Sequence, residues 1–170
     1  EKTKKRDLAM MTLLLGTGMR VSECVGINIK DLDFQNNAVK VTRKGGNEVF
    51  LYFGEEVRET LADYLEERQN ALTKDENEDA LFLSSQGKRI GVRTVQNMVK
   101  KDAQGVTIKK ITPHKLRSTF GTNLYQETGD IYLVADVLGH ADVNTTRKHY
   151  ADIEDSRRRM AATRIRLRKD

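Results

Sequence analysis

Apolar positions recur at helical spacing over most of this chain and alternate in one short stretch. Residues 7–15 carry Leu8, Met11 and Leu15 and read as a helix that ends at Gly16-Thr17-Gly18. A short helix is expected over residues 21–26. Residues 38–43 alternate, with Val39 and Val41 on one face, and residues 48–53 alternate again through Val49, Leu51 and Phe53. Between them Lys44-Gly45-Gly46-Asn47 offers adjacent glycines for a tight turn at positive φ, so the segment predicts an antiparallel hairpin with Lys44 at its tip.

Helical spacing resumes through Val57, Leu61, Tyr64, Leu65 and Leu72, then through Val92, Val95 and Val99 over residues 92–103. A short apolar segment, Ala80-Leu81-Phe82-Leu83, lies between them. Pro113 stands where a helix can start without its N–H, and Leu116, Phe120 and Leu124 continue that helix. Residues 130–138 direct Ile131, Val134, Ala135 and Leu138 inward, and Gly139 ends the helix. Further helices are expected at residues 144–150 and about 153–168. The fold class that follows is α+β, mainly helical, with one small antiparallel β-sheet.

Composition adds bounds. The 170 residues, 38% hydrophobic and 32% charged, suit one soluble domain over residues 1–170, and no run is long and apolar enough to span a membrane. The single cysteine, Cys24, excludes an internal disulfide and a cysteine zinc cluster, and a buried place on a short helix suits it. A cytoplasmic setting is the default expectation. The net charge of +5 leans toward an anionic partner. Its distribution says more. Basic residues gather at Lys2, Lys4, Lys5 and Arg6, at Arg43 and Lys44, at Lys109, Lys110 and Lys115, and from Arg157 to Lys169. Acidic residues concentrate in residues 74–79, read as a solvated loop. Such segregation suits a surface that grips a phosphate backbone, although charge runs also serve as solvated faces.

Several chemistries are excluded. Gly16-Thr17-Gly18 has no third glycine and follows a helix, so the dinucleotide fingerprint fails; Gly87-Lys88 lacks the upstream glycine of a P-loop. The three histidines have no supporting Cys or clustered carboxylates, so no metal is expected, and no serine sits in a nucleophile elbow. What remains is a concentration of cations and, of the five tyrosines, one that stands next to a histidine. His114 and Arg117 stand at i and i+3 in the first turn of a helix, where a phosphate is favoured; taken alone, a helix cap by His114 and a surface ion pair by Arg117 explain them more simply. Arg20 precedes a short helix whose Glu23 can orient its guanidinium, or merely pair with it at the surface. His140 follows Leu138-Gly139 at a helix end, where its charge alone is favourable. Tyr150 suits packing as well as chemistry, and His149 reads as an exposed neighbour.

Taken in order, Gly-Met-Arg-x-Ser-Glu (residues 18–23), Lys44 at a hairpin tip, His-x-Leu-Arg (114–117), Leu-Gly-His (138–140) and Tyr150 resemble the tyrosine recombinase (phage integrase) family, especially its Xer-like and transposon integrase branches. The resemblance runs roughly from Lys5 to Ile153. It implies a tyrosine recombinase catalytic domain that cuts and rejoins DNA through a 3′-phosphotyrosine bond, without cofactor or metal. Arg20 and Arg117 match the arginines that clamp the scissile phosphate, and Lys44 the lysine that protonates the leaving 5′ oxygen. His114 matches the general acid/base, His140 the histidine that hydrogen-bonds the phosphate, Tyr150 the nucleophile and Glu23 a supporting acid. Ser118 stands where many relatives carry a second histidine.

The chemistry is coherent. A phenol with pKa near ~10 needs a base or a positive field to attack, and planar guanidiniums suit the charge that grows on the phosphate oxygens. The resemblance also implies double-stranded DNA and neighbouring protomers as partners, the latter through the helix after Tyr150; that basic helix would equally fold back on its own core. A type IB topoisomerase and a non-catalytic DNA-binding module are the rival readings; a metal-dependent nuclease lacks its carboxylates. The core-binding domain that usually precedes this one is expected to be absent, since nothing here resembles it.

Overall fold

Residues 8–15 are apolar almost all round, and they form the middle of helix α1 (Lys4–Thr17). The face turned inward is Ala9, Met10, Leu13 and Leu14, with Arg6 and Thr17 at its ends. The stripe named from spacing lies on the other side: Leu8 is 54% and Leu15 43% exposed. With little polarity to break the tie, periodicity locates such a helix but not its buried face. A computed structural model describes residues 3–71, 79–102, 112–140 and 143–164 of the chain. Lys2, Leu72, residues 74–78, Ala103, Lys109, Lys110, the His149 side chain and residues 165–170 lie outside the described residues.

The chain divides into two units, Glu1–Phe120 and Gly121–Asp170. In the first, α1 is followed by α2 (Val21–Val25), a 3-10 turn at Ile29–Asp31, and strands β1 (Leu32–Asp33), β2 (Ala38–Thr42) and β3 (Glu48–Tyr52). The sheet is antiparallel in the order β1-β2-β3, with Val39 opposite Leu51 and Thr42 opposite Glu48. Alternation places Val39, Val41 and Leu51 in the core and leaves Phe50 and Tyr52 exposed on the outer face. The turn is as the glycines require: Gly45 and Gly46 have φ of 85° and 81°.

Helix α3 (Glu55–Ala71) packs on α1 and buries Val57, Leu61 and Tyr64. Ala80 to Leu83 is buried throughout, and Tyr64 and Arg68 satisfy its main chain by donating to the Leu81 carbonyl. Helix α4 (Val92–Asp102) buries Val95 and Val99. Cys24 is fully buried, and burial pushes its thiol up to about 12.

Helix α5 (Pro113–Thr128) supplies the end of the first unit and the start of the second. In the second unit, α6 (Ile131–Leu138) buries the expected Ile131, Val134, Ala135 and Leu138. Asp130 caps it by accepting from the amides of Tyr132 and Leu133, and Gly139 ends it at φ 76°. Helices α7 (Val143–His149) and α8 (Ala151–Arg164) follow, joined at Tyr150. The fold is thus mainly helical with a small three-stranded antiparallel sheet. Among the described residues, no helix is long and apolar enough to cross a membrane.

Candidate active site

The first unit holds Arg20, Glu23, Lys44, His114 and Arg117. At the end of α1 the chain reverses through Gly18, whose φ of 71° suits glycine, and a side chain there would collide with the Phe120 ring. This close approach puts the Gly18 carbonyl within reach of α5, where the Arg117 Nη1 donates to it at 2.5 Å. Arg117 is 9% exposed, so its guanidinium is largely shielded from water. Arg20 follows two residues after Gly18 and remains exposed at the start of α2.

Glu23 organises this corner. Its side chain is 3% exposed, Oε1 accepts from the Arg20 amide at 2.9 Å, and Oε2 lies 3.8 Å from the Arg20 Nη1. The expected pairing of Glu23 with Arg20 is therefore present, and the buried carboxylate also caps the first turn of α2. A second cation shares it: the Arg43 Nε stands 3.3 Å from Glu23 Oε2. Arg43 immediately precedes Lys44, which sits exposed at the hairpin turn as expected. His114 is exposed in the first turn of α5, three residues before the buried Arg117.

The second unit holds His140 and Tyr150. The Nδ1 of His140 shares a hydrogen with the Oγ1 of Thr146, a residue buried completely on α7. That contact fixes the ring's orientation, and the His140 amide donates to Ala135 at 2.9 Å, closing α6. Tyr150 is 7% exposed, at the turn between α7 and α8. Its ring packs on Tyr125 with centroids 6.0 Å apart. Its hydroxyl occupies the space beside Gly121 that an added Cβ would need. The phenol is thus a packed group.

Around Tyr150 the start of α8 is held in place. The Tyr150 carbonyl accepts from the Glu154 amide at 3.0 Å, and Glu154 pairs with Arg147 on α7 at 3.3 Å. Arg157 lies over the Tyr125 ring, 5.4 Å to its centroid, and donates to the Tyr125 and Gln126 carbonyls at the end of α5. Burial and the nearby Glu154 carboxylate raise the Tyr125 phenol above its ordinary range. Beyond Arg157 every described residue of α8 is exposed.

Four contributors are not marked by the sequence pattern. Arg43 stands out only as one more basic residue, although adjacency to Lys44 is a signal. Thr146 lies one helical turn before Tyr150, and Gly121 one turn after Arg117; both spacings are visible, but neither names a partner. Arg157 belongs to the basic tail. Among the described residues, no three His, Cys, Asp or Glu side chains gather as a metal would need.

The phage integrase family model matches residues 1–157. Similar proteins include a tyrosine recombinase XerC of Thermodesulfovibrio yellowstonii, 36% identical over 164 residues, covering 90% of this chain and 54% of the relative. A tyrosine recombinase XerS of Streptococcus agalactiae is 37% identical over 160 residues, covering 92% and 45% respectively. The chain therefore spans about half the length of these relatives. Among solved structures, the XerA recombinase superposes with a TM-score of 0.82 at 30% identity, over 98% of this chain and 62% of that one. The XerH site-specific recombinase, bound to a palindromic difH substrate in a post-cleavage complex, gives 0.80 at 27% identity, over 96% and 47%. With most of its length matched by that family model, the chain belongs to the phage integrase family.

Proposed function

We propose that this chain performs site-specific recombination of double-stranded DNA, cleaving and rejoining strands through a 3′-phosphotyrosine at Tyr150. Arg20 and Arg117 clamp the scissile phosphate, Lys44 protonates the departing 5′ oxygen, His114 moves the nucleophile's proton, His140 hydrogen-bonds the phosphate, and Glu23 holds Arg20. The observation that carries this reading is the corner built from Gly18, Arg20, Glu23 and Arg117. A carbonyl holds the Arg117 guanidinium, and a buried carboxylate stands 3.8 Å from that of Arg20, both close to one chain reversal. Permanently charged planar groups held this way suit the growing charge of a pentacoordinate phosphate, and their preorganisation costs nothing at the moment of reaction.

In the reaction the phenol oxygen bonds to phosphorus as the bond to the 5′ oxygen breaks. The new ester keeps the energy of the phosphodiester, so a free 5′ hydroxyl reseals it. Tyr150 sits at the turn between α7 and α8. Similar recombinases are bound to a palindromic difH substrate in a post-cleavage complex and to transposon right end DNA, which supports DNA as the partner here. A nicked duplex that loses its short 5′-hydroxyl fragment on cleavage tests the reading. The chain should form a covalent adduct stable to denaturant, and Tyr150→Phe should bind the duplex but form none. An adduct that survives Tyr150→Phe rejects the assignment.

The far part of α8 is assigned to contact with a neighbouring protomer on DNA. Its first turns are docked in cis by Glu154 and Arg157, whereas Arg158 to Arg164 are exposed. Deleting residues 158–170 should weaken assembly on DNA while leaving cleavage of the nicked duplex partly intact; unchanged assembly rejects this role.

A further inference from the structure

Arg43, next to Lys44 in the chain, turns inward: its side chain is 9% exposed, while Lys44 itself is exposed. Inward means toward Glu23, with Arg43 Nε 3.3 Å from Oε2 of a carboxylate that also holds Arg20. The backbone of Arg43 closes the hairpin turn as well. Its amide donates to Asn47 at 2.7 Å, and its carbonyl accepts from Gly46 at 3.0 Å. Past this point the tip stands open, with nothing within 4 Å of where side chains on Gly45 or Gly46 would lie.

These contacts matter for a proton donor. Lysine is a point charge on a flexible stem, and an open two-glycine turn adds backbone freedom to side-chain freedom. A general acid must reach within hydrogen-bonding distance of one departing oxygen. We propose that Arg43 is a positioning residue for Lys44: through Glu23 it fastens the base of the hairpin tip to the Arg20 turn, so that the proton donor and the phosphate clamp keep a fixed spacing. The inference rests on Lys44 being the acid in the proposed reaction. There the Tyr150 oxygen bonds to phosphorus as the P–O5′ bond breaks, Lys44 Nζ gives its proton to O5′, and the phenolic proton passes to His114.

A purely structural role, in which Arg43 only neutralises a buried carboxylate, would affect every substrate alike. The test uses a duplex selected from a random library by covalent capture on the unchanged protein, made with either oxygen or sulfur at the scissile 5′ bridging position. A thiolate departs without a proton, whereas an alkoxide does not. Arg43→Gln should slow cleavage of the oxygen substrate by about tenfold or more, a part of the 10²–10⁴ a general acid supplies, and should cleave the sulfur substrate within about threefold of the unchanged protein. Arg43→Lys should recover part of the oxygen rate. Dividing each variant's oxygen rate by its own sulfur rate cancels any loss of folded protein, and it is this ratio that should fall in Arg43→Gln.

Lys44→Ala calibrates the result. If it is rescued by sulfur while Arg43→Gln is slowed equally on both substrates, or on neither, Arg43 does not position the acid. If Lys44→Ala itself is not rescued, Lys44 is not the acid, and the inference falls with that assignment. Failure to capture any duplex overturns the proposed function and this inference together.

Discussion

The Arg117 Nη1 donates to the main-chain oxygen of Gly18 across 2.5 Å, joining residues 99 positions apart in the chain. This bond ties the motif that contains Arg20 to the helix that contains His114 and Arg117. It depends on glycine, because only a bare backbone with φ 71° lets Phe120 pack where a side chain would stand.

Gly18→Ala therefore has two costs, a left-handed backbone angle and a methyl driven into an aromatic ring. Together they should destabilise the chain by about 2–4 kcal/mol, read from urea unfolding. Loss of under about half a kcal/mol would mean that the reversal relaxes freely.

Arg117→Lys keeps the charge but not the planar fork. Adduct formation should fall about 10²–10³-fold, as when one oxyanion donor is lost, while DNA binding changes little. A parallel loss of binding would make Arg117 a general DNA contact rather than a transition-state group.

Glu23→Gln preserves shape but removes the charge that two arginines share. Stability should drop by about 1–3 kcal/mol, and adduct formation should slow more than the loss of folded protein explains. Unchanged rates in the folded variant would show that Arg20 needs no anchor.

The helices and hairpin were legible because their patterns had contrast. Asp130, the four inward residues of α6 and Gly139 spell a cap, a face and a stop. In α1 the type of element was readable, but Leu8 and Leu15 competed with Met10 and Leu13 for the core, and tertiary packing decided. Strand β1 has two residues, too few to alternate. In the site, residues with a local signal, such as Lys44 at a turn or Glu23 three residues after Arg20, stood out. Arg43 and Gly121 did not, since each acquires meaning only from a residue distant in sequence.

Gly121 admits the Tyr150 hydroxyl. Gly121→Ala should cost about 1–3 kcal/mol through overpacking. Adding Tyr150→Phe, which removes the nearest atom, should return part of that cost; strict additivity of the two would show that the contact is not made in solution.

Burial holds the Cys24 thiol near 12 rather than its ordinary 9.0, so the neutral form is the folded one. Its contribution to stability is intact below about pH 9 and is lost as pH rises from there toward 12. At about pH 8, below that window, the folded chain should resist iodoacetamide and the urea-unfolded chain should react. Rapid labelling of the folded chain would contradict the buried placement.

The proposed chemistry turns on one particular phenol becoming bonded to DNA phosphate. Capturing the chain on a nicked duplex, digesting both polymers and sequencing the nucleotide-bearing peptide by mass spectrometry addresses it directly. A 3′-linked nucleotide is expected on Tyr150 and on no other tyrosine. A nucleotide on a different residue, or one joined through its 5′ phosphate, would contradict it.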